Sequence, residues 1–321
     1  MIHTRTPLRL PLAGGLTDVK RYAAEFGGQT VSSTIQLGVD VRVGPSSSGA
    51  FEVLAEGVLA RHARAADVEH DLVREALASV DPALPPLRIE IALEATGNSG
   101  LGASGAICVG LLNALRRLGG EWVEAAELAA QAADIEVEKL GGASGYHDPH
   151  ICARGGLLAI SYDGPSVTAV PIGMPDGFRQ EFEGSLLMFA TGVRASTKSS
   201  LTKLNDEFAR SLPVLHEMRA LALDLRSAFA DGDLQRVAWC VGEQQRLKER
   251  LPGDFRSELV ESVRSRLEPL GAAAQFPGGK VGGYFHVCCP DGQHDAVRSR
   301  LAEFGEVELS LTLAGATVVR Q

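Results

Sequence analysis

The segment that most constrains this chain is Thr96-Gly97-Asn98-Ser99-Gly100-Leu101-Gly102-Ala103-Ser104-Gly105-Ala106, set between an apolar run, Leu87 to Leu93, and an apolar-faced stretch, Ala103 to Leu118. The run reads as a strand and the stretch as a helix, closed by Gly119-Gly120. A strand, a glycine loop and a helix in that order form a phosphate cradle, because backbone N–H groups free of side chains converge at the positive end of the helix dipole. The spacing is neither GxxxxGK[ST] nor GxGxxG in register. An ordinary glycine turn before a helix therefore stays open, and Ser104 can either cap the helix or ligate Mg²⁺ beside a phosphate.

The rest of the composition narrows the partners. At 321 residues, with 45% hydrophobic and 22% charged residues, the chain has material for two ordinary domains and a substantial core. A net charge of -9 disfavours nucleic acid and anionic membranes as partners, and no run is long enough to span a bilayer. The five cysteines form no CxxC pair, and an odd number cannot all close within one chain. Together with a start that lacks a signal-peptide pattern, they imply reduced thiols in the cytoplasm.

Along the chain, strands are expected at Leu8 to Ala13, Thr30 to Val43, Phe51 to Leu54, Leu87 to Leu93, Gly155 to Ile160 and Val167 to Ile172. Helices are expected at Val68 to Ser79, Ala103 to Leu118 and Glu124 to Leu140. A boundary falls near Gly177, giving domains 1–177 and 178–321. The second half reads as strand Leu186 to Ala190, helices Val214 to Phe229, Leu234 to Arg250 and Arg256 to Leu270, and strand patterns at Tyr284 to Cys289 and Glu306 to Val319. That is helices packed on a small antiparallel sheet.

Three further motifs carry chemistry. On the helix from Glu124, Glu136 lies about 160° from the polar stripe of Glu124, Glu127, Gln131, Asp134 and Glu138. A carboxylate on a buried face needs a partner, either a metal ion or an arginine. Gly141 to His150 reads as a loop holding Asp148 between His147 and His150. Three readings stand side by side: a transition-metal cluster, Asp148 as general base, and a turn aspartate before Pro149. Phe276 to Tyr284 is a second glycine loop, serving either close approach to a ligand or a bulged hairpin.

Taken together, these segments resemble the GHMP superfamily of small-molecule kinases, especially its bacterial heptose-phosphate kinase and fucokinase-like branch. The likeness runs through Arg5 to Asp18, Glu25 to Gly28, Ser99 to Ser104, Ala133 to Glu138, Asp148 to Gly156, Met188 to Arg194 and Gly278 to Tyr284. It implies an N-terminal α/β domain like the second domain of ribosomal protein S5, a C-terminal ferredoxin-like α+β domain, and a site in the cleft between them. By that resemblance Asn98, Ser99, Gly100, Leu101, Gly102, Ala103, Ser104 and Gly105 hold the ATP phosphates, and Ser104 and Glu136 hold Mg²⁺. Asp148 orients or deprotonates the acceptor hydroxyl, and Arg9 stands beside the transferred phosphoryl group.

The acceptor is assigned by the same resemblance to Gly14, Gly15, Thr17, Asp18, His147 and Gly279. Arg194, Lys198 and Lys280 are candidate cations for an acceptor phosphate. Such a set fits phosphoryl transfer, which needs charge neutralised on the moving group and a carboxylate near the nucleophile. The acceptor expected is the anomeric hydroxyl of a heptose 7-phosphate, giving the 1,7-bisphosphate, with a free sugar such as fucose as the alternative. Two departures stand out: Leu16 replaces a glycine usual in the branch, and Tyr146-His147-Asp148-Pro149 replaces Lys-Gln-Asp-Gln. Readings from other classes are a metal-dependent hydrolase built on His147, Asp148 and His150, and a nucleotide sensor without catalysis. A homodimer stays open as the assembly.

Overall fold

The computed structural model describes the chain except residues 82–83, 96–98, 142–144, 194–197, 280 and 320–321, and the side chains of residues 198 and 199. Its first sheet is built on two long strands, β1 (Ile2–Ala13) and β2 (Gly28–Pro45). Leu8, Leu10 and Leu12 of β1 and Val39, Val41 and Val43 of β2 are wholly buried, so the β-branched and leucine runs read from the sequence become the centre of the core. The short helix α1 (Lys20–Phe26) joins them. Next come β3 (Phe51–Ala55), β4 (Val58–His62), helix α2 (Asp71–Val80) and β5 (Leu87–Leu93). The strand order is β1-β2-β5-β3-β4, all neighbours antiparallel except the parallel pair β3 and β5.

Helix α3 (Ala103–Leu118) lies on β1 and β2. Gly110 makes this close approach possible, since a Cβ there would sit 3.1 Å from both Thr6 Oγ1 and Val41 Cγ2. The Thr4 hydroxyl donates to the Gly110 carbonyl at 2.9 Å, which fixes the helix axially over the strand. Helix α4 (Ala125–Ala133) then passes into a π-helical turn, Asp134–Lys139. The expected continuous helix to Leu140 is therefore corrected: Glu136 sits in a wider turn, of the kind that often marks functional sites.

A second correction concerns the acid between two histidines. Residues 147–154 form a helix, α5 (His147–Arg154), where a loop was expected through His150. Pro149 misleads as a loop signal, because a proline in the first helical turn lacks only an N–H that would be unpaired anyway. Strands β6 (Leu157–Asp163) and β7 (Ser166–Pro171) extend the sheet along the early part of β2.

The second half begins with α6 (Phe178–Gly184) and β8 (Leu186–Ala190), followed by α7 (Lys198–Asp206), α8 (Phe208–Asp231), α9 (Leu234–Lys248) and α10 (Glu258–Leu267). Strands β9 (Ala273–Gln275) and β10 (Tyr284–Cys288), helix α11 (His294–Arg300) and β11 (Gly305–Val307) complete a four-stranded antiparallel sheet in the order β11-β8-β10-β9. It has its own apolar cluster around Phe189, Val263, Phe276, Phe285 and Leu301. The expected closing strand, Glu306 to Val319, is instead three short pieces. After β11, β12 (Leu311–Thr312) pairs with β2 and β13 (Thr317–Val318) with β1, so the chain returns to the first sheet. Among the described residues no helix is long and apolar enough to cross a membrane.

Candidate active site

The end of β1, the loop into α3, the π turn and the start of α5 meet in one place. Gly102 caps α3 in a left-handed conformation, φ 79°. A Cβ at Gly102 would come within 2.9 Å of Arg9 Cγ, and one at Gly105 within 2.8 Å of Asp148 Cβ. Glycine is thus required at both positions by the groups they carry the backbone against. The Arg9 amide donates to the Leu101 carbonyl at 3.0 Å, locking β1 to the loop. By helix geometry the first amides of α3 have no intrahelical acceptor and remain available to an anion. Ser99 is buried, and its hydroxyl accepts from the Leu101 N–H at 3.2 Å.

Arg9 grips Asp148 with two bonds, Nε to Oδ1 at 2.8 Å and Nη2 to Oδ2 at 3.1 Å, while Nη1 donates to the Gly100 carbonyl. Burial alone would raise the Asp148 pKa, but the Arg9 charge and the bond from His147 hold it well below the usual carboxylate range. His147 Nδ1 stands 3.2 Å from Asp148 Oδ1, and the His147 backbone N–H donates to Asp18 Oδ2 at 3.2 Å. Asp18 is pushed upward by burial, with His147 opposing. Gly145 packs so closely that a Cβ there would lie 2.0 Å from Asp18 Oδ2.

Near enough to feel the charges of Asp148 and Arg9, Glu136 is buried and its Oε2 has no hydrogen-bond partner among the described residues. Burial lifts its pKa to about 7, against a lowering hydrogen bond from Ser104. A buried carboxylate oxygen left empty beside a hydroxyl suits a hard divalent cation, which takes oxygen ligands. The residues present therefore fit Mg²⁺. By contrast, no group of three His, Cys, Asp or Glu side chains converges to hold a metal among the described residues, so His147, Asp148 and His150 do not form the transition-metal cluster weighed above.

The acceptor-side residues divide. Gly14 has φ 77°, and a Cβ on it would strike the Gln29 carbonyl oxygen at 1.9 Å. The Thr17 hydroxyl is spent holding this turn, donating toward the Gly14 and Gln29 carbonyls at 2.8 and 2.9 Å. Gly15 is roomier, with the Gln244 amide nitrogen 3.8 Å from where its Cβ would be. Gly279 follows Gly278, whose Cβ would lie 3.3 Å from Gly100 Cα, so the two glycine loops touch. Asn98, Arg194 and Lys280, and the side chain of Lys198, lie outside the described residues.

Sequence reading missed the contribution of α9. Gln244 accepts from the Gly14 N–H at 2.8 Å, Gln245 accepts from the Phe276 N–H at 3.1 Å, and Lys248 donates to the Phe276 carbonyl. One helix face thereby ties the Gly14 turn to the second glycine loop. Burial and the nearby Arg9 charge lower Lys248 to about 7. The available signal was polar residues at 244, 245 and 248 interrupting an otherwise apolar helix face.

Residues 71–156 match the GHMP kinases N terminal domain. The chain is 23% identical to a D-glycero-alpha-D-manno-heptose 7-phosphate kinase of Campylobacter jejuni, across 96% of this chain and 95% of that one. Its fold superposes on a crystal structure of a D-glycero-D-manno-heptose 1-phosphate kinase from Bacteroides thetaiotaomicron with a TM-score of 0.80 at 21% identity, covering 100% of this chain and 99% of that one. It also superposes on a Streptococcus pneumoniae phosphomevalonate kinase in complex with phosphomevalonate and AMPPNP, with a TM-score of 0.77 at 16% identity over 99% and 100% of the two chains.

Proposed function

We propose that the chain, whose residues 71–156 match the GHMP kinases N terminal domain, transfers the γ-phosphoryl group of ATP to a sugar hydroxyl, the anomeric hydroxyl of a heptose 7-phosphate, forming the 1,7-bisphosphate. The observation that carries this is the arrangement around Arg9. One guanidinium joins the carboxylate Asp148 to the Gly100 carbonyl of the phosphate-cradle loop, so acceptor and donor sides are held in a single register. The AMPPNP-bound relative supports ATP as the donor.

In this reading the open amides at the start of α3 bind nucleotide phosphates, and Ser104 and Glu136 would hold Mg²⁺. When bound, that ion neutralises charge on the donor phosphates. Asp18 binds sugar hydroxyls, Asp148 faces the acceptor oxygen, and Arg9 balances charge as the phosphoryl group moves. Arg194, Lys198 and Lys280 are assigned to the acceptor's own phosphate. The two domains are assigned to residues 1–177 and 178–321 and the setting to the cytoplasm, with a homodimer open as the assembly.

The names of the two heptose-kinase relatives place the acceptor's existing phosphate on different carbons. The deciding experiment is ADP release from ATP and Mg²⁺ across heptose 7-phosphate, heptose 1-phosphate, free heptose and fucose. Turnover should be fastest with heptose 7-phosphate. Fastest turnover with free fucose would refute the acceptor, and turnover with none of the panel would refute the kinase reading.

A further inference from the structure

The second sheet ends on β9, and the outer edge of that strand is open at Ala274. In β10 the odd-numbered residues face β8, since the Cys289 N–H donates to the Ser185 carbonyl and the Thr191 N–H to the Gly283 carbonyl, both at 2.8 Å. Strand alternation then turns His286 and Cys288 toward their β9 partners, Gln275 and Ala273, and turns the N–H and C=O of Ala274 away from the sheet. On either side of Ala274 the edge is closed. The Ala272 N–H donates to the Leu267 carbonyl at 3.4 Å, while the Phe276 N–H is taken by Gln245 and its carbonyl by Lys248.

This open edge lines a cavity of about 230 Å³ between α9 and α10. Gly242 keeps one wall thin, because a Cβ there would lie 3.1 Å from Ala273 Cβ. Trp239 of α9 lines the cavity with its side chain 50% exposed, a large ring left without a cover. Arg246 and Arg264 bring two guanidiniums against one lining carboxylate, Glu268. Among the described residues Arg246 reaches Glu243 only at 3.4 Å, and Arg264 uses Nη2 alone on Glu249 and Glu261. Gln245 and Phe276 also line the cavity, so it backs onto the second glycine loop from outside the candidate active site.

One outward N–H beside one outward C=O is too short for an added strand, which needs alternate residues open along an edge. It matches a flat ring carrying an acceptor next to a donor, as the edge of a nucleobase does. We propose that this cavity binds a nucleotide other than the phosphoryl donor. The base edge bonds Ala274, the ring lies against Trp239, and the phosphate sits at the mouth with Arg246 and Arg264. The cavity is small beside most ligand pockets, which suits one ring system held inside and a charged group held at the rim.

The test reads binding rather than turnover, so its failure is separate from failure of the kinase reading. The chain has two tryptophans, and Trp122→Phe, at an exposed position before α4, leaves Trp239 as the reporter. Titration of this protein with AMP, GMP, CMP and UMP should quench Trp239 emission with a Kd below about 1 mM for at least one of them. The corresponding nucleoside should bind about fivefold more weakly or worse. Adding Ala274→Pro removes an outward N–H that no ladder bond uses, and should weaken binding about tenfold. Adding Arg246→Gln instead, at a half-exposed position, should erase the preference for nucleotide over nucleoside. The assignment is overturned if none of the four quenches Trp239 at about 10 mM. It is equally overturned if Ala274→Pro, folded by its thermal midpoint, binds as tightly as its parent, or if Arg246→Gln keeps the full preference. A protein that sediments as a dimer with Trp239 shielded from acrylamide would also overturn it, since a second copy of the chain then fills the cavity.

Discussion

The two carboxylates of the candidate site, Asp148 and Glu136, are held in opposite ways. Asp148 is saturated with donors and kept ionised by Arg9 and His147, whereas Glu136 is pushed toward neutrality by burial and keeps one oxygen empty. Asp148 has a cation of the protein's own in Arg9, whereas among the described residues no cation bonds Glu136. A site of this kind is incomplete until a positive charge enters beside Glu136, which is what a reaction on a polyphosphate would bring.

That contrast can be broken by exchanging the partners of each acid. Glu136→Gln should lower turnover about a hundredfold to a thousandfold and raise the Mg²⁺ concentration needed for half activity. Asp148→Asn should also lower turnover, yet leave the Mg²⁺ midpoint in place. It should cost stability as well, on the order of 3 kcal/mol in chemical unfolding, because it strands a buried arginine. Equal shifts of the Mg²⁺ midpoint in both variants would dissolve the distinction. Next in size, Gly105→Ala places a Cβ within 2.9 Å of Asp148 and Pro149 backbone atoms, which must move. A loss of about 1–3 kcal/mol is expected, with turnover falling further than stability explains.

A pH effect probes the α9 face that ties the two glycine loops together. Lys248 falls from 10.5 to about 7 on burial, so above that folded value the unfolded state binds more protons. The ligand-free protein should therefore gain stability from about pH 7 toward pH 10, and Lys248→Met should flatten that rise in a thermal melt series. An unchanged slope would place the ammonium in water. Smallest is Leu16→Gly. Leu16 adopts φ 73°, a region that disfavours a branched residue, so the glycine should raise the thermal midpoint, by about 2 °C at most. A fall of several degrees would mean that Leu16 packing outweighs its strain.

Much of this was readable from the chain. Leu87–Leu93 and Ala103–Leu118 coincide with the expected strand and helix, because apolar runs of the right length were punctuated by glycines on both sides. Glu136 was legible as a buried acid from its helical phase alone. What the sequence concealed has local causes. The π turn at Asp134–Lys139 leaves no mark in a pattern of period 3.6, and Pro149 hid the start of α5. Strands β12 and β13 are two residues each, too short to show alternation, and their partners lie almost the whole chain away. Gln244 and Lys248 matter only because folding brings α9 against Gly14 and Phe276, which no local pattern encodes.

The central claim is that the site joins a nucleotide cradle to a sugar acceptor. Phosphorus NMR of the protein incubated with ATP, Mg²⁺ and heptose 7-phosphate tests it most directly. The account predicts ADP together with a new phosphate resonance coupled to the anomeric proton of the sugar. ADP appearing at the same rate with and without sugar, or no change in either spectrum, would contradict it.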